Sequence, residues 1–423
     1  MTDRSAQAVV AKLLGVSAAI GIAVGLLFHG FEELLHHVQH WLWADLVGDR
    51  PSATATIALA TAGGALLGVA LRLLPGHGGA HPAEHHGLLP EPGGSATVSI
   101  VAASLAVGFV GLAAGASLGP EGALMPGAVG VSLLLARAAR LAGPTEQLLV
   151  AAGLGALMAA MFSHPLAGAV ILLEVLPSAT AEMAVPAVMV ILPTLTSSAF
   201  AVLALQVMGA VPLIGLPFEY GTFRPVHLAW AVVVGVVAGA AGLLVDRLVR
   251  PLRRVTSRLD ARDVVVTTTI GGLVLGVLYA IGGDETRFTG FPELLVLMSR
   301  NPATGTVVLA MVVKALATAW CLAAGYRGGK IFPAAFVGGA AGLVVHTVFP
   351  SVPAVVAVSV GLSASMVTAL GLPVTALLSS AALLPPRLLP LAVLGSVAAF
   401  VVHLLADRLA PPQAAAGAAV QHG

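Results

Sequence analysis

One acidic side chain lies in a stretch that is otherwise apolar and rich in glycine. Glu121 is the only ionisable residue of GASLGPEGALMPGAVG, residues 115–130. Glycine and proline ahead of it predict a turn, and the residues after it predict a short helix that begins near Glu121. The first N–H groups of a helix lack carbonyl partners and the helix dipole is positive there, so this place favours an anion.

Glu121 is itself an anion placed on such a site. Its carboxylate can occupy the site, compete with a mobile anion and leave once it is protonated, so Glu121 is a candidate gate and proton carrier. An unpaired carboxylate is costly to bury in an apolar membrane segment, which favours a functional role. A plain helix cap that interacts with the dipole is the alternative.

A related stretch, GYRGGKIFPAAFVGGA, occupies residues 325–340. Gly329 stands at the place of Gly119, and Ile331 at the place of Glu121, each 210 residues later. Glycine lets the backbone approach an ion with no Cβ in the way. The candidate anion-binding residues of the two stretches are Gly119, Gly122, Gly329, Lys330, Ile331 and Phe332.

Backbone N–H groups suit anion passage better than a buried cation does, because binding must be weak enough for the ion to leave. We therefore expect Lys330 to contribute its backbone N–H. Its side chain either raises the local anion concentration or turns to water at a vestibule.

The two stretches belong to a longer internal repeat. GLGALM at 153–158 recurs as GLSASM at 361–366, and a proline follows each, at Pro165 and Pro373. Paired glycine- and proline-interrupted segments at matching places in two halves indicate a substrate site at the membrane midplane. Close helix packing through small residues is the alternative explanation for the glycines.

Composition assigns the chain to a membrane. Hydrophobic residues make up 58% and charged residues 9%, whereas soluble domains carry about 25% charged residues. The 20 basic and 19 acidic residues balance, which excludes the basic footprint of a nucleic-acid-binding protein. No common nucleotide, metalloprotease or hydrolase motif occurs, so we predict no enzymatic activity, cofactor or metal site. The histidine-rich stretch 77–86 is interpreted as a solvated loop, with metal binding as the alternative.

The apolar segments predict many helices. A helix that crosses the hydrocarbon needs about 20 apolar residues, and long candidates lie near 8–28, 53–74, 97–118, 148–173, 184–209, 227–245, 264–282, 306–324 and 388–405. Shorter, broken candidates lie near 121–136, 331–348, 355–370 and 373–384. An arginine cluster between 247 and 262 predicts a cytoplasmic loop.

These elements predict an all-α polytopic protein of the cell membrane, built from two inverted-topology repeats with broken, tilted helices. The predicted divisions are a first membrane repeat at 1–210 and a connecting span with a basic loop at 211–262. A second repeat follows at 263–410, and a disordered tail at 411–423.

The motifs resemble those of the CLC chloride channel and transporter family over roughly residues 60–405. GPEGA, with Glu121, resembles the gate motif GREGP, and GGKIFP resembles the family's GxFxP stretch. The PLAG run at 165–168 with Glu174 resembles a third family stretch. The sequence as a whole is most similar to a little-characterised bacterial branch of ion-transport proteins.

This resemblance implies a CLC-like fold, a chloride pathway gated by Glu121 and a homodimer with one pore per subunit. It also implies an anion-binding loop at Gly79 and Ala80, where the family has GSGIP. The expected partners are chloride or another small anion, membrane lipid and a second copy of the chain.

Several positions depart from the family pattern. Gly79 replaces an ion-coordinating serine, and the family's central tyrosine has no counterpart. Pro120 precedes the gate residue and removes one N–H donor. Val175 aligns with the inner proton-relay glutamate, and Glu174 lies one residue earlier.

These departures leave three functions open. The first is passive conduction of chloride, and the second is proton-coupled exchange of chloride or fluoride. The third belongs to another class: a membrane scaffold that keeps the fold without transport.

Overall fold

The computed structural model describes residues 3–48, 51–74, 97–170, 174, 187–210, 220–260 and 263–409, and the regular elements in this part of the chain are helices. The first half contains α1 (Asp3–His40), α2 (Ala53–Leu73), α3 (Val98–Ala113), α4 (Glu121–Ala138), α5 (Pro144–Phe162) and α6 (Ala187–Val207). The second half contains α7 (Val226–Asp260), α8 (Val264–Gly282), α9 (Phe291–Ser299), α10 (Thr304–Ala323), α11 (Ile331–Val348), α12 (Ala354–Leu370), α13 (Pro373–Ala381) and α14 (Leu389–Leu409). A π-helical turn, Trp41–Asp45, extends α1, and short 3-10 turns precede α9 and α14.

The two halves repeat the same packing. In the first half, α1 packs on α4, α5 and α6, and in the second half α7 packs on α11, α12 and α14 in the same way. Helices α4 and α5 pack together as α11 and α12 do, and α3 packs on α4 as α10 packs on α11. By these contacts α7 packs with helices of the second half; the predicted division gives its segment, within 211–262, as a connecting span.

Glycine contacts join the halves where α2 packs on α8. A Cβ at Gly272 would overlap the Ala60 carbonyl, and one at Gly276 would lie 2.6 Å from the Ile57 Cα. Small residues let membrane helices approach so that van der Waals packing holds them together. The close approach of α2 and α8 therefore requires glycine at positions 272 and 276.

The structure differs from the predicted loop between 247 and 262. Helix α7 continues to Asp260, so the arginines from Arg247 to Arg258 lie on its last turns. Arginine is a good helix former, so the helix runs on without a break past the apolar window. Arg262 and the predicted tail at 411–423 lie outside the described residues.

Two further helices differ from the predicted segments. Helix α1 begins at Asp3 and ends at His40, well beyond the predicted 8–28. Helix α9, with nine residues, lies in a segment for which no element was predicted. Nine residues rise about 14 Å along a helix, which is too short to produce a membrane-span signal.

Membrane crossing follows from helix length and polarity. Within the described ranges, nine helices are long and apolar enough to cross a membrane. Many large apolar side chains on their outer faces are exposed, including Leu192, Phe200, Val236 and Val397. Apolar outer faces of this kind match a hydrocarbon environment. The chain is a multi-pass membrane protein.

The α2–α8 contact gives a stability prediction. Gly272→Val would force a side chain into the α2 backbone, so we expect a loss of about 1–3 kcal/mol in stability. Gly15→Val is the matched control, because Gly15 is also helical and has no neighbouring atom where a Cβ would lie. The thermal unfolding midpoint of the detergent-purified protein should fall for the first variant only. Equal midpoints would contradict the packing account.

Candidate functional site

Two loops, one from each half, meet at a pair of backbone hydrogen bonds. The Gly119 N–H donates to the Gly329 carbonyl at 2.8 Å, and the Gly329 N–H donates to the Gly119 carbonyl at 2.9 Å. The pairing is antiparallel. Because α4 begins two residues after Gly119 and α11 two residues after Gly329, the bonds hold the two helix N-termini side by side.

Each loop leaves the preceding helix through a left-handed glycine. Gly115 after α3 has φ +94° and Gly325 after α10 has φ +86°. The Ala116 N–H donates to the Gly111 carbonyl, and the Tyr326 N–H to the Cys321 carbonyl. These bonds close the helix ends in the manner of Schellman caps. The two halves therefore reverse the chain in the same way before the next helix begins.

The Glu121 carboxylate lies on the N-terminus of the partner helix. Its Oε1 accepts a hydrogen bond from the Ile331 N–H, the first residue of α11, at 2.8 Å. The residue is 4% exposed, and Oε2 is buried with no hydrogen-bond partner. A carboxylate from the first half thus caps α11 of the second half, at a place that favours negative charge.

Glycine is required around this carboxylate. A Cβ at Gly119 or Gly329 would overlap the Glu121 carboxyl group, and one at Gly122 would overlap the Gly328 backbone. The four glycines leave room for the side chain to lie between the two loops and against the α11 backbone. The sequence-predicted Gly119, Gly122 and Gly329 therefore lie together.

The Lys330 side chain forms an ion pair that the sequence did not predict. Its Nζ lies 2.7 and 2.9 Å from the two carboxylate oxygens of Asp246 on α7. The two side chains are 33% and 37% exposed, so the pair contributes on the order of 0–1 kcal/mol. The charge of Lys330 is therefore offset by Asp246.

Phe332 packs beside the helix start. Its ring stacks on Phe162 at a centroid distance of 5.7 Å and an interplanar angle of 29°. Phe162 is the last residue of α5, and the chain turns at Ser163 with φ +50°. Ile331 and Phe332 are both buried. Both residues thus lie in the protein interior at the α11 N-terminus, where N–H groups lack helix partners.

Gly79 and Ala80 lie outside the described residues, as does the histidine-rich stretch 77–86. The contribution of that loop to the site stays a prediction. The other predicted anion-binding residues lie in the two paired loops or at the helix starts that follow them.

A second carboxylate of the first half also caps a helix of the second half. Glu174 accepts hydrogen bonds at 2.6 Å from the N–H groups of both Val374 and Thr375, at the start of α13. In the sequence, Glu174 lies one residue before the position that aligns with the family's proton-relay glutamate, and nothing there indicates its partner. An apolar segment that ends in one acidic residue was the available signal.

Sequence reasoning also missed side chains that hold the first loop. The Tyr279 hydroxyl donates to the Gly115 carbonyl at 2.6 Å, and the Trp43 Nε1 donates to the Ala113 carbonyl at 3.1 Å. These bonds satisfy carbonyl groups that a helix end would otherwise leave without partners. No local motif marks either residue, because each acts on a loop far away in sequence.

Comparison with known proteins gives relatives over most of the chain. The family model described as "Voltage gated chloride channel" matches residues 63–404. The "Putative ion-transport protein YfeO" of Escherichia coli O139:H28 (strain E24377A / ETEC) is 31% identical over 360 residues, which is 81% of each chain. The protein of the same name from Shigella boydii serotype 18 gives the same identity and coverage.

Solved structures share the fold. A slow cyanobacterial Cl-/H+ antiporter superposes with a TM-score of 0.80 at 19% identity, covering 93% of this chain and 95% of that one. A CLC-type fluoride/proton antiporter superposes with a TM-score of 0.76 at 18% identity, covering 95% and 97%. Together with the sequence match over 63–404, these similarities show that the chain belongs to the voltage gated chloride channel family.

Proposed function

We propose that this protein transports small inorganic anions, with chloride as the first candidate, and that Glu121 gates the pathway. The observation that carries the proposal is the hydrogen bond from the Ile331 N–H to Glu121 Oε1. A carboxylate held by a helix N-terminus marks a place that a mobile anion can take when the carboxylate leaves.

The proposed mechanism is a competition for that place. Protonation removes the charge of Glu121 and weakens its hold on the α11 N-terminus, because charge-assisted hydrogen bonds are stronger than neutral ones. An anion then accepts hydrogen bonds from the backbone N–H groups of Ile331, Gly122 and Phe332. No lysine or arginine is needed in this step, so the anion can leave on the other side.

The comparisons support transport as the function class. The sequence relatives are named for ion transport, and the two structural neighbours are a Cl-/H+ antiporter and a fluoride/proton antiporter. We propose a homodimer that works in contact with membrane lipid, and we assign the protein no catalytic reaction.

Purified protein in liposomes tests the proposal by chloride efflux at two pH values. Wild type should release chloride faster at the lower pH, because protonated Glu121 vacates the site. Glu121→Gln mimics the protonated side chain and should make efflux nearly independent of pH. If wild type releases no anion and Glu121→Gln changes nothing, a non-transporting scaffold with this fold is the better account.

Proton-coupled exchange is the second candidate. It is favoured by the unpaired, buried Oε2 of Glu121, which can carry a proton while Oε1 binds the helix. Under this candidate an inward chloride or fluoride gradient should drive protons outward in tightly sealed liposomes, measured with a pH dye. An anion gradient that moves no protons would identify passive conduction. Repeating the assay across fluoride, chloride and nitrate ranks the anions.

A further inference from the structure

A groove on the outer surface separates the C-terminal ends of α7 and α14. The two helices run in the same direction and touch where their side chains are smallest, since a Cβ at Gly235 would overlap the Gly395 carbonyl. One turn farther on, a Cβ at Gly239 would lie 2.8 Å from the Ala399 Cβ. Beyond these contacts larger side chains face each other and the groove opens. The residues that line it are Ala240, Leu243, Leu244, Arg247, Val402, Leu405, Ala406 and Leu409.

The lining residues form one stripe along each helix. They recur on α7 at 240, 243, 244 and 247, and on α14 at 402, 405, 406 and 409. Residues with this spacing lie on one face of a helix. Seven of the eight are apolar, and from Ala240 to Arg247 the groove runs about 10 Å along α7. The groove is therefore an apolar trough with one cation at the end nearest the helix C-termini.

Positive charge continues from that end of the groove. Between residues 247 and 258, α7 carries five arginines and no acidic residue. Four of them recur at spacings of three and four residues along the groove face and are exposed: Arg247, Arg250, Arg254 and Arg258. Asp246, which precedes Arg247, binds Lys330 at 2.7 Å. Asp407 on α14 lies 3.4 Å from His403. The two acids beside the groove thus have other partners, and this end of it is cationic.

The surroundings of the groove select lipid as its occupant. Leu244 and Leu405 are 47% and 53% exposed, and exposed apolar side chains on membrane helices face hydrocarbon rather than water. The positive-inside rule puts the arginine-rich end at the cytoplasmic surface. Basic pockets between membrane helices on that side bind anionic lipid head groups. An apolar trough with a cationic end thus complements a molecule that has an apolar chain and a negative head.

We propose that this groove is a binding site for an anionic phospholipid. One acyl chain lies along the apolar stripes, and the phosphate accepts hydrogen bonds from the Arg247 guanidinium, which matches phosphate with two parallel N–H groups. Arg250, one turn farther along α7, adds to the attraction for a negative head group. A head group that carries its own cation offsets this attraction, so phosphatidylglycerol binds in preference to phosphatidylcholine. Binding here does not depend on anion transport.

Native mass spectrometry of the detergent-purified protein tests the site, with phosphatidylglycerol and phosphatidylcholine of the same acyl chains as probes. Wild type should retain phosphatidylglycerol at lower lipid concentrations than phosphatidylcholine. Arg247→Gln should weaken phosphatidylglycerol binding about five-fold, because one arginine near the lipid surface contributes about that factor. Arg247→Lys keeps the charge and should keep most of the binding.

Arg387→Gln is the matched control for the charge, because Arg387 is also exposed but precedes the opposite end of α14. Its phosphatidylglycerol binding should equal that of wild type. Equal binding of the two lipids by wild type would overturn the proposal. So would equal binding of phosphatidylglycerol by wild type and Arg247→Gln.

A second pair of variants tests the apolar part of the site. Ala406→Phe fills the groove and leaves every arginine in place, so phosphatidylglycerol binding should fall although the charge is unchanged. Val397→Phe is the control, because Val397 is exposed on the same helix outside the groove. Phosphatidylglycerol binding that is the same in Ala406→Phe and wild type would overturn the placement of the acyl chain.

A second copy of the chain is the rival occupant of the groove. Cys321 is buried, so Ala406→Cys introduces an accessible thiol at a known place. Under the proposal a lipid-soluble maleimide labels this thiol, and added phosphatidylglycerol slows the labelling. A disulfide-linked dimer through residue 406 would show that a second copy fills the groove and would overturn the lipid site.

Discussion

The site depends on one hydrogen bond between the two halves of the chain, from the Ile331 N–H to Glu121 Oε1 at 2.8 Å. It joins a carboxylate at the start of one short helix to the backbone at the start of another. The paired Gly119 and Gly329 hold both loops in place, and neither position has room for a Cβ. The Glu121 carboxylate is therefore held where the two halves meet, against the first backbone N–H of α11.

Duplication explains how so few polar groups build the site. Each half supplies a seven-residue loop that contains a left-handed glycine and leads into a helix start, so two similar loops meet and pair. The halves differ at one decisive position, where the first has Glu121 and the second Ile331. The first half thus provides the carboxylate and the second provides the backbone N–H that binds it. Glu174 repeats this relation at the start of α13.

The sequence predicted the helix starts at Glu121 and Ile331 because glycine, proline and apolar periodicity are local signals. The same signals gave most of the membrane helices. Contacts between distant segments were not predictable: Asp246 pairs with Lys330 from 84 residues away, and the Tyr279 hydroxyl binds the Gly115 carbonyl from 164 residues away. The extension of α7 into its arginine-rich end differs from the predicted loop, because charged residues end an apolar segment without ending a helix and arginine favours helix formation.

Crystals of Glu121→Ala soaked in bromide would test the central claim most directly, since bromide replaces chloride and scatters anomalously. Without the carboxylate, the α11 N-terminus should bind the ion. We predict an anomalous peak within hydrogen-bonding distance of the Ile331 nitrogen, between the Gly119 and Gly329 loops. A structure with the loops unchanged and no bromide there would contradict the account.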